Sequence, residues 1–366
     1  MARTSPSAGA GIREVARMAE VHPSTVSRVL NGKLDNVRIS EATAERVRRA
    51  AATLRYQPNA AARSLRTTYT QTIGVIAHTL LHPFVAELLR VIYAVCQARG
   101  YHLLLGHTEH SAAEGSVLGA ILSADRVDGV LLIGDILPDA APREAMQWLI
   151  ETHNHVVTVG GRPSVAGEQA IMVDNACGVT LAMEHLIGQG HRSIGYVSER
   201  VGAESWEDRQ RREAYRGFLH AHDLPYHAAA ELVVTNHVEA AQEALRALFG
   251  RPNHPTALFV NNDVTALITM KAASICGLRV PDDLSIVGFD DIPFSALSTP
   301  GLTTVRQPIE AMGRQAASAL LDRAVGGAAV AQLDEGVTIF LPPTLVQRES
   351  AAPPHGSPLR QETHVA

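Results

Sequence analysis

Apolar positions along the chain follow two different periods. Over residues 12–54 they recur at helical spacing in three short bursts: Val15, Met18 and Ala19; Val26, Val29 and Leu30; then Ala44, Val47, Ala51 and Leu54. The turn Glu20-Val21-His22 separates the first two bursts. Pro23 stands where a first helical residue needs no N–H, and Asn31-Gly32 makes a helix stop. Ser40 precedes the third burst as an N-cap. The pattern predicts helices over 12–20, 23–32 and 40–54. The first two, joined by a tight turn, form a helix-turn-helix whose second helix enters a major groove.

From residue 72 the pattern changes to short apolar runs alternating with helical stretches. TIGVIAH (72–78), YHLLLGH (101–107), DGVLLIG (128–134) and HVVTVG (155–160) read as strands, with a helix over 83–98 turning Phe84, Leu88, Ile92 and Val95 inward. A second set follows: RSIGYVS (192–198), a helix over 208–221, ELVVTN (231–236), TALFVNN (256–262) and LSIVGFD (284–290). Such alternation predicts parallel sheets covered on both faces, here in two lobes. The fold class is thus a small all-α head on an α/β two-lobed core. Ligands of such sheets sit beyond the carboxyl ends of the strands, where His78, Asn262-Asp263 and Asp290-Asp291 are the polar points.

Charge divides the chain at the same place. Residues 1–66 hold 12 Lys+Arg against 5 Asp+Glu, a net +7, whereas the rest holds 20 against 32, a net −12. A basic head on an acidic body fits a polyanion-binding module; charge alone leaves nucleic acid and membrane surface both open. The outward side chains of the second helix, Ser24, Thr25, Ser27 and Arg28, suit phosphates and base edges, and an arginine there can grip a guanine in bidentate fashion. A small helical bundle with a solvated basic face would carry the same spacing.

The wording of the head is more specific than its spacing. EVARMAEVHPSTVSRVLNG (14–32) followed by LRYQPNAAARSLRT (54–67) closely resembles the head and hinge of the lactose/galactose-repressor (LacI/GalR) family. The family pattern runs DVAxxAGVSxxTVSRVLN and then YxPNxxARSLR. The resemblance implies a hinge helix that orders on the operator and lies in the minor groove, where Leu65 wedges between base pairs. It also implies DNA contacts from Asn31, Asn59, Ala62, Arg63 and Arg66, with Ala62 small enough for close approach. Two departures stand out. Glu20 occupies a turn position usually held by Gly or Asn, where a left-handed backbone costs about 1–2 kcal/mol. His22 replaces the usual serine N-cap and is expected to cap more weakly.

The likeness continues through VDNACG (173–178), HLIGQGHRSIGYV (185–197), GLRVPDDLSIVGFDDIP (277–293), LTTVRQP (302–308) and PPTLVQRES (342–350). It implies a core like that of periplasmic sugar-binding proteins, dimerising through that core, with the chain crossing between lobes three times. The expected domains are a helix-turn-helix (1–57), a hinge helix and linker (58–70), an effector-binding and dimerisation core of two non-contiguous lobes (71–350) and a disordered tail (351–366). The tail has prolines and no heptad, so a tetramerising coiled coil is not expected, and the assembly is a homodimer. The effector site carried over comprises Phe84, Arg209, Asn262 and Asp290, with Trp206 as a stacking face for a sugar ring. Each has an architectural alternative: Phe84 as core, Arg209 as a surface ion pair, Asn262 as a helix cap, Asp290 as a loop cap. His82 stands for the usual Asn of the loop before Phe84, and Val238 for an aromatic, which weakens the case for a flat purine.

The implied function is a DNA-binding transcriptional regulator, a repressor, of double-stranded pseudo-palindromic operators, controlled by a small sugar-like effector. A cytoplasmic solute-binding protein and a sugar-metabolising enzyme are the alternatives. The first lacks use for a DNA head. The second lacks a GxGxxG turn, a GxxxxGK[ST] loop and a GxSxG elbow, so neither catalysis nor a cofactor is expected. His78, His82 and His107 lack the spacing of metal ligands, and Cys96, Cys177 and Cys276 form no CxxC pair. With no apolar run of membrane length and no apolar core for a signal peptide, a cytoplasmic location is expected.

Overall fold

The computed structural model describes residues 11–30, 39–56, 69–77, 79–108, 126–134, 155–161, 169–200, 205–326 and 337–354, in two units, Met1–Thr70 and Gln71–Ala366. The expected DNA contacts Asn31, Asn59, Ala62, Arg63, Leu65 and Arg66, the hinge helix, His78 and the tail from 355 lie outside the described residues.

In the first unit, α1 (Ile12–Met18), α2 (Pro23–Leu30) and α3 (Glu41–Thr53) close on Val15, Ala16, Ala19, Val26, Val29, Ala44, Val47, Ala50 and Ala51. Met18, expected inward, is 49% exposed. The buried stripe of α1 runs 12-15-16-19, so Ala16 takes the inward place and Met18 falls beside it. Ser40 caps α3, its Oγ accepting the Thr43 N–H at 3.3 Å. Glu20 does adopt the left-handed conformation, with φ +52°. His22 caps better than its residue type suggests: its Nδ1 accepts the Ser24 N–H at 3.3 Å, so one of the free donors at the start of α2 is paired.

The second unit holds two six-stranded sheets. The first is built from β1 (Thr72–Ala77), β2 (His102–His107), β3 (Val130–Ile133), β4 (Val156–Val159), β5 (Gln169–Val173) and β11 (Thr338–Leu341), all parallel, in the order β11-β5-β4-β3-β1-β2. The second holds β6 (Ile194–Glu199), β7 (Glu231–Val234), β8 (Ala257–Val260), β9 (Ser285–Asp290), β10 (Thr303–Arg306) and β12 (Thr344–Val346), in the order β12-β10-β9-β8-β6-β7, with only β10–β12 antiparallel. Strands β3, β4, β5, β8 and β9 are buried at every position, as strands covered on both faces must be. β2 is an edge strand with Leu104 and Leu105 exposed.

Helices cover both sheets. α4 (Pro83–Ala98) packs Val85, Leu88, Ile92 and Cys96 on the first, and α5 (Asn175–Gly188) and α6 (Trp206–Ala221) pack on the second. α7 (Val238–Phe249) and α8 (Asp263–Ile275) cover its other face. The chain then returns: α9 (Ile309–Gly326) supplies Met312, Ala316, Ala317, Leu320 and Leu321 to the first lobe's core. It thus passes between lobes three times, after β5, after β10 and after β11. β5, β10, β11 and β12 are additional to the strands expected from the sequence.

Candidate functional site

In the head, α2 presents Ser24 and Arg28 fully outward, with Thr25 and Ser27 half-buried beside them. Arg13 and Arg17 on α1 are exposed as well. No carboxylate pairs with Arg28 among the described residues, and its guanidinium is a five-donor fork suited to phosphate or a base edge. Ser24 is less free, because its Oγ lies 2.8 Å from His22 Nδ1. Arg46 of α3 reaches the Ala19 carbonyl at 3.4 Å, bracing the turn that orients α2.

In the core, the carboxyl ends of β6, β8 and β9 meet the start of α5 and the β10–α9 crossover. The arginine at that meeting point is Arg211, two residues on from the expected Arg209. Its inward position follows from helical spacing: Asp208, Arg211, Tyr215, Phe218 and Leu219 form the buried stripe of α6, whereas Arg209 is only half-buried. Arg211 is 5% exposed. Its Nε donates to Asn175 Oδ1 at 2.8 Å, its Nη1 donates to the Asn261 carbonyl, and its plane lies 3.7 Å over the Phe289 ring. Nη1 stands 3.7 Å from Asp290 Oδ1.

Asp290, 3% exposed, accepts from Gln307 Nε2 at 2.6 Å. Burial raises its carboxyl above the usual carboxylate range, against the opposing pull of Arg211 and of His82 from the other lobe. Its φ is +120°, and that of Asp291 is +56°. Two carboxylate residues in succession at positive φ store about 1–3 kcal/mol each, which the surroundings must offset. Asp291 is clamped by Arg306 and Arg348, each at 2.6 Å. Behind the loop, fully buried Asp263 accepts from the Ile292 N–H at 3.0 Å, Ser295 Oγ at 2.6 Å and Thr304 Oγ1. Burial and nearby Asp290 push its carboxyl up to about 7. Sequence reasoning missed Arg211, Gln307 and this anchor.

The other expected positions divide. Asn262 caps α8, its Oδ1 accepting the Thr265 N–H at 2.8 Å, while its Nδ2 donates to Glu199 at 2.7 Å. Phe84 is half-buried on the first lobe's core and lies over Gly160. Trp206 is half-buried in the first turn of α6. Asp290 and Gln307 also border a cleft of about 700 Å³ between the lobes, whose first-lobe wall carries Glu87, Arg90, Glu310 and Arg314. A cleft of this volume suits a small molecule.

Residues 11–59 match the family model described as bacterial regulatory proteins, lacI family, and residues 183–351 match a periplasmic binding protein-like domain. The chain is 32% identical over 349 residues to the HTH-type transcriptional repressor PurR of Erwinia tasmaniensis, covering 94% of this chain and 97% of that protein. It is 33% identical over 344 residues to the HTH-type transcriptional regulator GalS of Salmonella typhimurium, covering 93% and 96%. Among solved structures, the Lac repressor dimer bound to operator and the anti-inducer ONPF superposes with a TM-score of 0.79 at 25% identity, over 94% of this chain and all of that one. A complex of the transcriptional regulator CelR with cellobiose gives 0.67 at 29% identity, covering 93% of this chain.

Proposed function

Since the chain belongs to the lacI family of bacterial regulatory proteins, we propose that it is a transcriptional repressor whose hold on operator DNA is set by a small molecule bound between its core lobes. The observation that carries this reading is the joining, in one chain, of a helix-turn-helix with an outward arginine to a core with a buried, strained Asp290 loop facing an inter-lobe cleft. The first feature reads DNA and the second recognises a ligand; a carrier has a use for the second alone, and a structural protein for neither.

Ser24, Thr25, Ser27 and Arg28 are the groove-facing set, with Asn31, Asn59, Ala62, Arg63, Leu65 and Arg66 extending it through the hinge. Phe84, Asn262, Asp290 and Arg211 are the effector-facing set, with Trp206 and Arg209 at its margin. The effector is a sugar or related metabolite, the working form is a dimer joined through the core, and the site of action is the cytoplasm, where operators are. The relatives are repressors rather than enzymes, and we assign no catalysis.

The mechanism follows from two half-sites held at fixed helical spacing. Closure of the lobes on an effector moves the two heads of the dimer, and a small change in their spacing lowers operator affinity. The test is selection of bound sequences from a genomic library, followed by binding titrations with the Arg28→Ala variant. Loss of discrimination between selected and scrambled sites, with the core transition unchanged, is expected. Equal selectivity for wild type and variant overturns the reading.

A further inference from the structure

Two asparagines stand side by side after β8, and they are treated differently by the fold. Asn262 has both amide atoms engaged, as a helix cap and as a donor to Glu199. Asn261 is 5% exposed, and its Oδ1 is sealed from solvent with no donor among the described residues. Its backbone is fully used: the N–H donates to the Val197 carbonyl at 2.9 Å, and the carbonyl accepts from Arg211. A buried acceptor without a donor is costly, and nothing among the described residues offsets that cost at Asn261. An apolar residue of like size would suit the end of a buried strand better.

The location supplies the reason. Asn261 directly follows β8, whose Phe259 packs in the core beneath α5 and α6, and Arg211 of α6 reaches its backbone carbonyl. The guanidinium that touches the Asn261 carbonyl also stands by Asp290, whose Oδ1 accepts from Gln307. An unpaired amide oxygen and a buried carboxylate thus belong to residues that one arginine bridges at the carboxyl ends of adjacent strands. Such a set is complementary to a ligand that brings donors.

We propose that Asn261 is a specificity-determining residue of the effector site, its Oδ1 accepting a hydrogen from a hydroxyl of the ligand while Asp290 accepts from a second. The ligand class is then a neutral polyhydroxylated molecule with at least two neighbouring hydroxyls. This rests on the effector-binding reading above and refines its chemistry. A site built to pair a hydroxyl rejects the analogue lacking it far more strongly than an apolar pocket rejects a change in size.

The test uses the full chain and a defined probe set: ribose, arabinose, galactose, glucose, cellobiose, inositol, glycerol, and the matching sugar acids as controls. Probes are ranked by thermal shift, and the best is titrated calorimetrically against wild type, Asn261→Leu and Asn261→Ala. The expected result is that a neutral probe binds wild type and binds both variants at least about 10-fold more weakly, a ratio equal to about 1.4 kcal/mol. Both variants keep or raise the melting temperature, since each deletes an unpaired acceptor. One monodeoxy form of the probe should bind wild type and Asn261→Ala alike. Equal binding of the parent probe to wild type and Asn261→Ala overturns the assignment and leaves the effector site standing. Absence of binding by every neutral probe, or preference for a sugar acid, overturns the ligand class, and no binding by any probe also counts against the effector reading.

Discussion

Arg211 and Asp290 offer the sharpest test of the core's physics. Replacing Arg211 with Met keeps most of the stem volume but withdraws the guanidinium from three partners: Asn175 Oδ1, the Asn261 carbonyl and the Phe289 face. Asp290 is left 3% exposed with Gln307 as its remaining donor. Breaking a buried pair on one side is destabilising by about 3–5 kcal/mol, because the surviving charge is uncompensated. Asp290→Asn in the same background removes that charge, so the double variant should recover about 1–3 kcal/mol relative to the sum of the singles. The effect also has a pH signature. Asp290 titrates above its unfolded value, so its contribution to stability is greatest at low pH and is lost as pH rises. Without Arg211 the carboxyl moves higher still, so protonation relieves more of the penalty as pH falls. Arg211→Met should therefore destabilise less at lower pH. Urea unfolding of the full chain, followed through the core transition by circular dichroism, measures all four corners of the cycle. Additive singles with no pH dependence refute the pairing.

Glu20→Gly should stabilise the head by up to about 1 kcal/mol, by releasing a left-handed glutamate, and should tighten binding to DNA of any sequence; an unchanged head transition contradicts the strain argument. Gly288→Ala places a methyl 2.3 Å from Asp263 Oδ1 and 3.0 Å from Leu302, so the core should lose about 1–3 kcal/mol and its melting temperature should fall, whereas a neutral result shows that the anchor yields freely. Burial pushes the Cys96 thiol up to about 11, so at pH 8 it should resist alkylation in the native protein and react in urea, as peptide mapping by mass spectrometry can follow.

The head was legible because each of its signals is local. A proline at a helix start, a serine cap and a 3.6-residue stripe occupy single windows of sequence, and the left-handed Glu20 was read from the family pattern, which has Gly or Asn at that turn. The sheets were legible where strands are buried on both faces and read as continuous apolar runs. Strands of three to five residues that take their partners from distant parts of the chain, such as β11 beside β5, carry no such run. The site divided in the same way. Asp290 and Asn262 stand at strand ends, where position alone marks them. Arg211 lies in a helix with Arg209, Arg212 and Arg216, and choosing among them required the phase set by Tyr215 and Leu219. Gln307 and Asp263 act through pairings across 17 to 41 positions of the chain, which no local pattern encodes.

The three passages of the chain between lobes also fix an order of assembly during synthesis. The first lobe lacks Met312, Ala316, Ala317, Leu320 and Leu321 until α9 has left the ribosome, and lacks an edge strand until Thr338–Leu341 follows. The second lobe waits on Thr344–Val346 and on Ser350, which pairs with the Thr303 N–H and the Ile286 carbonyl. Neither lobe can therefore complete its core from a shortened message. A chain ending near residue 305 retains every residue of the head yet cannot close either lobe, so a truncated transcript yields material for proteolysis rather than a DNA-binding protein that has escaped its effector.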